Sequence, residues 1–492
     1  MTDGAFRVVI GGGGVSGLTT AYRLLSAGRA KDGRQVEVTL LETRDRLGGN
    51  IRTEKRDGFV IDGGPDAWVT AKPAASALAK ELGLGERLIG TTPANRRVLV
   101  LHKGKLHPFP EGMLLTIPTQ VWPFLKTGLL SPFGKLRAGF DFLLPRRGAA
   151  ADESIASFVR RRFGGEVLDK IGGPLLGGVF AGDVEALSIR ATFPQLVELE
   201  KKHRSLILGA RKDMKARAAA RKEGPPPSVF HSFPGGLGEF IEALSARVVA
   251  LGAKVVTGTR VVRVEEGGAG GGGAGGGAGA TSSMATFRVQ AMGPDGPLSL
   301  GADSVVLAMQ GYAAAEAVRD LDREMSETLR DVPYSSSAVV GIAYPRANVE
   351  HPLDATGIIA TDRGQSAFKA VTFLSSKWSG RAPDESALFR VFMGGTGNED
   401  ALAMSDATLI SIADKELQRL VGIRGAPTFA RVYRHERASA QPVLGHDTRV
   451  RRVRAREDQH PGLFVVGAAM DGVGIPDCVR QANDLSKRIL GS

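Results

Sequence analysis

The chain has 492 residues, 42% of them hydrophobic, enough for about three domains with real cores, and this excludes a disordered polypeptide. Its single cysteine, Cys478, excludes an intrachain disulfide and suits a reducing compartment. With 64 Lys and Arg against 52 Asp and Glu the net charge is +12, concentrated at residues 201–222 and 449–456. Neither cluster has the interleaved aromatic residues of a nucleic-acid binder, so they point to an anionic membrane surface, to acidic small molecules, or to solvated helix faces.

The first six residues lack the charged and apolar regions of a secretion signal, and a cytoplasmic protein is expected. An apolar run at residues 7–10 then feeds Gly12-Gly13-Gly14-Val15-Ser16-Gly17. This spacing turns a strand tightly into a helix whose free N–H groups and positive dipole end face a pyrophosphate. The next strand, residues 36–41, ends at Glu42, a carboxylate suited to the hydroxyls of an unphosphorylated ribose. A second glycine pair, Gly48-Gly49, follows at once and favours an extended FAD over NAD. Residues 59–66, ending Gly63-Gly64-Pro65-Asp66, lead into a helix over 73–82.

From about residue 97 to 194 short apolar segments are interrupted by Pro118, Pro132 and Pro145 and edged by Lys126, Lys135, Arg137, Arg146 and Arg147. A spanning helix needs about twenty uninterrupted apolar residues, so these segments are expected to lie on a bilayer surface rather than to cross it. A second glycine motif, Phe233-Pro234-Gly235-Gly236-Leu237, opens a helix to Leu251, followed by strands over 254–257 and 260–264 that continue at 287–290 and 304–309. The glycine and alanine tract at residues 267–280 reads as a disordered hairpin tip. Residues 338–344, 357–361, 368–374 and 388–393 read as a sheet, followed by a helix over 406–420. A last strand at 463–466 meets Gly467 and a final helix.

Three stretches make the chain resemble the flavin amine oxidase superfamily and, within it, the oxygen-dependent protoporphyrinogen oxidases. They are Gly178-Val179-Phe180-Ala181-Gly182-Asp183, the motif around Gly235-Gly236, and Gly472-Val473-Gly474-Ile475-Pro476-Asp477-Cys478-Val479-Arg480. The resemblance departs at residues 435–442 and at Ala468, both near the expected flavin end, and at Asn50, a position that varies among such oxidases. It implies an α/β fold with an α+β insert: a Rossmann-type FAD-binding domain, an antiparallel-sheet substrate domain and a helical membrane-attachment domain. The FAD-binding domain is expected from residues 1–92, 229–309 and 429–492, the helical domain from 93–205, a basic linker or helix from 206–228, and the substrate domain from 310–428.

The resemblance further implies oxygen-dependent oxidation of protoporphyrinogen IX to protoporphyrin IX in heme biosynthesis, on the cytoplasmic face of the inner membrane. Coproporphyrinogen III is the alternative substrate. A flavin amine oxidase and a non-catalytic FAD-binding tetrapyrrole scaffold are remoter readings, and a homodimer is left open. FAD is expected to meet Gly12, Gly14, Val15, Ser16, Gly17, Glu42, Gly48, Gly49, Gly64, Pro65, Val261, Gly467, Val473, Gly474 and Ile475. Arg97, with Arg96 as its rival, is expected to hold a propionate, and Phe180, Ile358, Ile359 and Val371 to clamp the ring. No catalytic side chain and no metal are expected, because the electrons leave to the flavin.

Overall fold

The computed structural model describes residues 4–95, 97–146, 152–219, 228–267, 285–361 and 366–491. The expected glycine-rich tip and Arg96 lie outside these residues.

Five parallel strands form the first sheet, in the order Lys254–Val256, Val36–Leu41, Phe6–Gly11, Ser304–Leu307, Leu463–Val465. A parallel sheet is covered on both faces, and alternation along each strand supplies the two cores. Val8, Ile10, Val38 and Leu40 pack with Leu18, Leu24, Phe240 and Val479 of the helices Val15–Ala27, Gly238–Ala250 and Ile475–Leu490. Val9, Leu41, Val305 and Leu307 face the other way, toward the three-stranded sheet of Arg260–Glu266, Phe287–Gly293 and Gly296–Ala302 and the helices Gly311–Val318, Arg323–Arg330 and His446–Glu457.

A seven-stranded sheet forms the second layer, in the order Phe429–Ala440, Tyr334–Pro345, Ser386–Gly394, Ala370–Phe373, Ala355–Ala360, Arg97–His102, Lys105–Pro108. It is antiparallel except where Ala355–Ala360 runs beside Arg97–His102. On one face Ala338, Val340, Ile342 and Val391 pack on Leu409, Ala413 and Leu417 of the helix Asp406–Val421. On the other, Val339, Ala343, Leu388 and Tyr433 meet Phe59, Ile61 and Trp378. This second face looks toward the parallel-sheet layer, because Asp62 of the Phe59–Asp62 strand accepts from Leu237 N–H at 3.0 Å, just before the helix Gly238–Ala250.

The helical region, from Val121–Lys126 to Leu206–Ala219, encloses its own core around Phe158, Val159, Phe163, Leu168 and Ile171. Its Leu168–Gly177 segment winds as a wide π-type helix and carries Pro174, which cannot donate a backbone hydrogen bond. Among the described residues no helix is long and apolar enough to cross a membrane.

Three segments pair differently from the sequence expectation. Arg97–His102 and Lys105–Pro108, expected within the helical domain, are strands of the large sheet, and so is Phe429–Ala440, expected in the third piece of the FAD-binding domain. The helices Gly311–Val318 and Arg323–Arg330, expected in the substrate layer, share their core with the parallel sheet. Local alternation can mark a strand, whereas the partner that fixes its sheet lies 86 to 106 residues away for Phe429–Ala440 and 258 or 259 away for Arg97–His102.

Candidate active site

The crevice lies at the carboxyl ends of Phe6–Gly11 and Ser304–Leu307, where the strand order reverses and a ligand meets both halves of such a sheet. Gly12 takes φ +111°, and a Cβ there would sit 2.5 Å from the Ala308 carbonyl oxygen. A Cβ on Gly17 would come 1.9 Å from the Gly12 oxygen. At Gly14, by contrast, the nearest atom to such a Cβ is Gly49 Cα at 3.9 Å, so the glycine opens onto space. Gly14 also caps Val15–Ala27 without any side-chain hydrogen bond, leaving the first-turn N–H groups to a ligand. Ser16 is buried in that first turn.

The second glycine pair closes against the first loop, with Gly48 N–H donating to Gly13 O at 2.8 Å. Glu42 is buried; its Oε2 accepts from Gly13 N–H at 2.7 Å and its Oε1 from Arg44 N–H at 2.9 Å. Arg44 donates to Gly49 O and Arg46 to the carbonyls of Leu47, Gly49 and Ile51. Burial, then the neighbouring guanidiniums of Arg44 and Arg52, push Arg46 below its ordinary pKa. Arg44 and Arg46 thus bring positive charge to the second glycine pair, which packs on the loop before the uncapped helix end, and both features favour an anion there. Arg44 and Arg46 are not among the residues the sequence points to for FAD, although they stand two and four residues after Glu42.

A second helix end faces the same crevice. Gly474 precedes Ile475–Leu490 with no side-chain cap, and Pro476 occupies its first turn. Gly467, at φ +126°, donates its N–H to Gln481 Oε1 and lies beside Ser16 Oγ. Val261 flanks the end of the first strand, where a Cβ on Gly11 would approach its Cγ2 to 3.0 Å. The buried Cys478 sits within the helix, where burial raises its thiol to about 11.

Toward the large sheet, a Cβ on Gly64 would meet the Asn50 carbonyl at 2.0 Å, and Gly64 O accepts from Arg390 Nη2. Arg390 is almost fully buried and also lies 3.5 Å from Asp66. Asp66, one residue beyond Pro65, accepts from Lys377 Nζ and Trp378 Nε1, each at 2.9 Å. Burial works to raise the Asp66 carboxyl, but the charges of Lys377 and Arg390 hold it far below the carboxylate range. His435 donates Nε2–H to Gly63 O at 2.7 Å, and burial lowers its pKa, so it stands as a neutral ring. Nothing in the sequence marked Arg390, a cation inside an otherwise apolar strand.

The four expected ring contacts divide between two faces. Ile358 and Val371 are cross-strand partners buried on the far side, in the core with Leu409 and Ala413. That narrows the expected clamp to Phe180 and Ile359, because neighbours along a strand point to opposite faces. Phe180 packs edge-on to Phe193 at 5.8 Å, and its carbonyl accepts from Gln441 Nε2 at 2.8 Å. Ile359 and Val473 border the same helical-region core as Phe180. Arg97, opposite Ala355 in register, is exposed and ion-paired with Asp354. At the other end of Ala355–Ala360, Ala360 N–H donates to Lys369 O, and Lys369 Nζ to Thr396 O at 3.1 Å.

The model of the family described as flavin containing amine oxidoreductase matches residues 15–490. The chain belongs to this family. Among the relatives of this flavoprotein, the coproporphyrinogen III oxidase of Bacillus subtilis (strain 168) is 34% identical, covering 98% of this chain and 97% of that one. The chloroplastic protoporphyrinogen oxidase of Nicotiana tabacum is 29% identical over 98% of this chain and 85% of that one. A crystal structure from Exiguobacterium sp. 255-15 superposes with a TM-score of 0.82 at 29% identity, covering 99% of both chains. Reduced UDP-galactopyranose mutase shares the fold at a TM-score of 0.68 and 15% identity, with 99% of this chain and 96% of that one covered.

The flavoprotein is an oxidoreductase whose cofactor is FAD. Its own residues fit that group: an uncapped helix end opened by Gly14, cations at Arg44 and Arg46, and a buried carboxylate at Glu42.

Proposed function

We propose that this flavoprotein oxidises coproporphyrinogen III to coproporphyrin III with O2 as the final acceptor. The observation that carries the reading is the end-to-end likeness to the Bacillus subtilis coproporphyrinogen III oxidase at 34% identity. Protoporphyrinogen IX, the substrate the sequence motifs bring first, becomes the second reading, supported by the tobacco relative at 29%. Further relatives from Propionibacterium freudenreichii and Staphylococcus aureus, at 31% and 30%, carry the same coproporphyrinogen III oxidase name.

Six hydrogens leave the macrocycle in three two-electron cycles, and each cycle reduces one O2 to H2O2. Bound FAD supplies the two-electron acceptor. The chain's part is placement and charge. Phe180 and Ile359 offer an apolar edge for a flat ring, and excluding water there strengthens every polar contact. Arg97, exposed and ion-paired with Asp354, offers a guanidinium that can exchange to a substrate carboxylate. Val473, Gly474 and Ile475 present the positive end of a sixteen-residue helix to the crevice, where it favours negative charge. Gly64 and Pro65, held by Arg390, and Gly467 complete the proposed cofactor wall.

The protein is further proposed to act from the cytoplasmic face of a membrane to which it attaches peripherally. Supporting this, Trp122, Phe133, Leu136 and Leu143 expose between 63% and 83% of their surface in the helical region. Oxygen uptake tests the reaction. Three O2 consumed per coproporphyrin formed is expected; turnover of protoporphyrinogen IX alone would transfer the assignment to the second reading.

A further inference from the structure

Beside the exposed apolar side chains runs an open groove of about 440 Å³ lined by Thr119, Gln120, Arg211, Lys212, Met214 and Lys215. The last four lie at positions i, i+1, i+3 and i+4 of Leu206–Ala219 and so share one face of that helix. Arg211, Lys212 and Lys215 have no ion-pair partner among the described residues; the one carboxylate between them, Asp213, is engaged by Lys202 and His203. Three unneutralised cations on one wall select an anion.

The groove's surroundings say where that anion comes from. Gln120 directly precedes Val121–Lys126, whose Val121, Trp122 and Leu125 are exposed. The helix carrying the cations packs on the turn Phe140–Phe142, and Phe140, Phe142 and Leu143 are exposed there too. Leu208 and Met214 of the same helix are likewise exposed. Lys126 Nζ sits 5.6 Å over the Trp122 ring, an arrangement in which the aromatic body is apolar and its cation remains at a polar boundary. Apolar side chains therefore border the cations on two sides, which is the layering of a bilayer interface: acyl chains next to phosphate.

We propose that the groove binds the phosphate headgroup of an anionic phospholipid, so that peripheral attachment selects acidic membranes. This rests on the peripheral-membrane reading above and adds the lipid class. A second copy of this chain is a poor occupant, because a two-fold contact would set the same three cations against each other. The groove uses residues remote from the glycine loops, so lipid selection is separable from chemistry.

Co-sedimentation of the full-length holoprotein with vesicles tests the inference, using phosphatidylcholine alone and phosphatidylcholine mixed equally with phosphatidylglycerol. Wild type is expected to prefer the acidic vesicles. The exposed double variant Lys212→Gln/Lys215→Gln should lose about 25-fold in that partition, about fivefold per cation, and keep its binding to phosphatidylcholine and its turnover of soluble substrate. A second double variant, Trp122→Ser/Phe133→Ser, should weaken binding to both vesicles. If the lysine variant partitions like wild type while wild type still pellets, the groove assignment is overturned and the membrane reading stands. If wild type pellets with neither vesicle, the membrane reading falls and takes the groove with it. A dimer in sedimentation velocity that the lysine variant abolishes would assign the face to a second copy and overturn the lipid.

Discussion

At the scale of single residues, the cofactor site is made chiefly of side chains that are missing. A Cβ at Gly17 would overlap the Gly12 carbonyl at 1.9 Å, and no rotamer relieves a clash between backbone atoms. Gly17→Ala is therefore expected to lower the bound flavin of the purified protein at least tenfold, read from its visible absorption after desalting; a fully yellow variant would contradict the loop's role. Arg97 poses the opposite case, an exposed guanidinium whose ion pair with Asp354 exchanges readily with solvent and with an incoming carboxylate. Arg97→Ala should raise KM for coproporphyrinogen III about tenfold with kcat nearly unchanged, as loss of a charge-assisted hydrogen bond in ground and transition states alike requires. An unaltered KM would remove Arg97 from the substrate site. Some of these residues were legible and others were not, for a physical reason. The glycines and Glu42 announce themselves because one local turn needs them all, whereas Arg390 acquires its meaning from Gly64 and Asp66, more than 300 positions away.

At the scale of elements, one carboxylate of the helical region ties two of its segments together. Glu166 accepts from Ser131 N–H and Oγ–H at the start of Pro132–Gly139, and from Lys170 Nζ at 2.6 Å. Burial works to raise its pKa, but the hydrogen bonds of Lys170 and Ser131 outweigh it and hold the carboxyl at about 2. Because the folded value lies below the unfolded value of 4.5, the stabilisation is fully present above pH 4.5 and is lost as the pH falls toward 2. It is worth at most about 3 kcal/mol. Urea unfolding across that acid interval should show a steeper loss for wild type than for Glu166→Gln, and parallel curves would show that the clamp is idle. The same scale explains what sequence reading reached. Phe6–Gly11 and Val15–Ala27 are visible as a pair because strand, turn and helix are contiguous. Phe429–Ala440 carries Arg431, Arg434, Glu436 and Arg437 and lacks an apolar run; it is an edge strand with one polar face, and only its pairing with Tyr334–Pro345 reveals it.

At the scale of the whole molecule, two sheets and a helical region meet around one crevice, and each contributes something the others lack. The parallel sheet brings two helix N-termini, the large sheet brings Arg390 and Ile359, and the helical region brings Phe180 together with an apolar outer surface. The resemblance read from the sequence motifs and the family match agree on the flavin fold. Those motifs could not rank two porphyrinogens, which differ in the acidic groups on their rims, because the motifs are built mainly of glycine and apolar residues. The most direct measurement is anaerobic mixing of the holoprotein with coproporphyrinogen III and, separately, protoporphyrinogen IX, while the flavin absorption is followed. Rapid bleaching by coproporphyrinogen III, at least tenfold faster than by protoporphyrinogen IX, is the expected result; faster bleaching by protoporphyrinogen IX, or none by either, would contradict it.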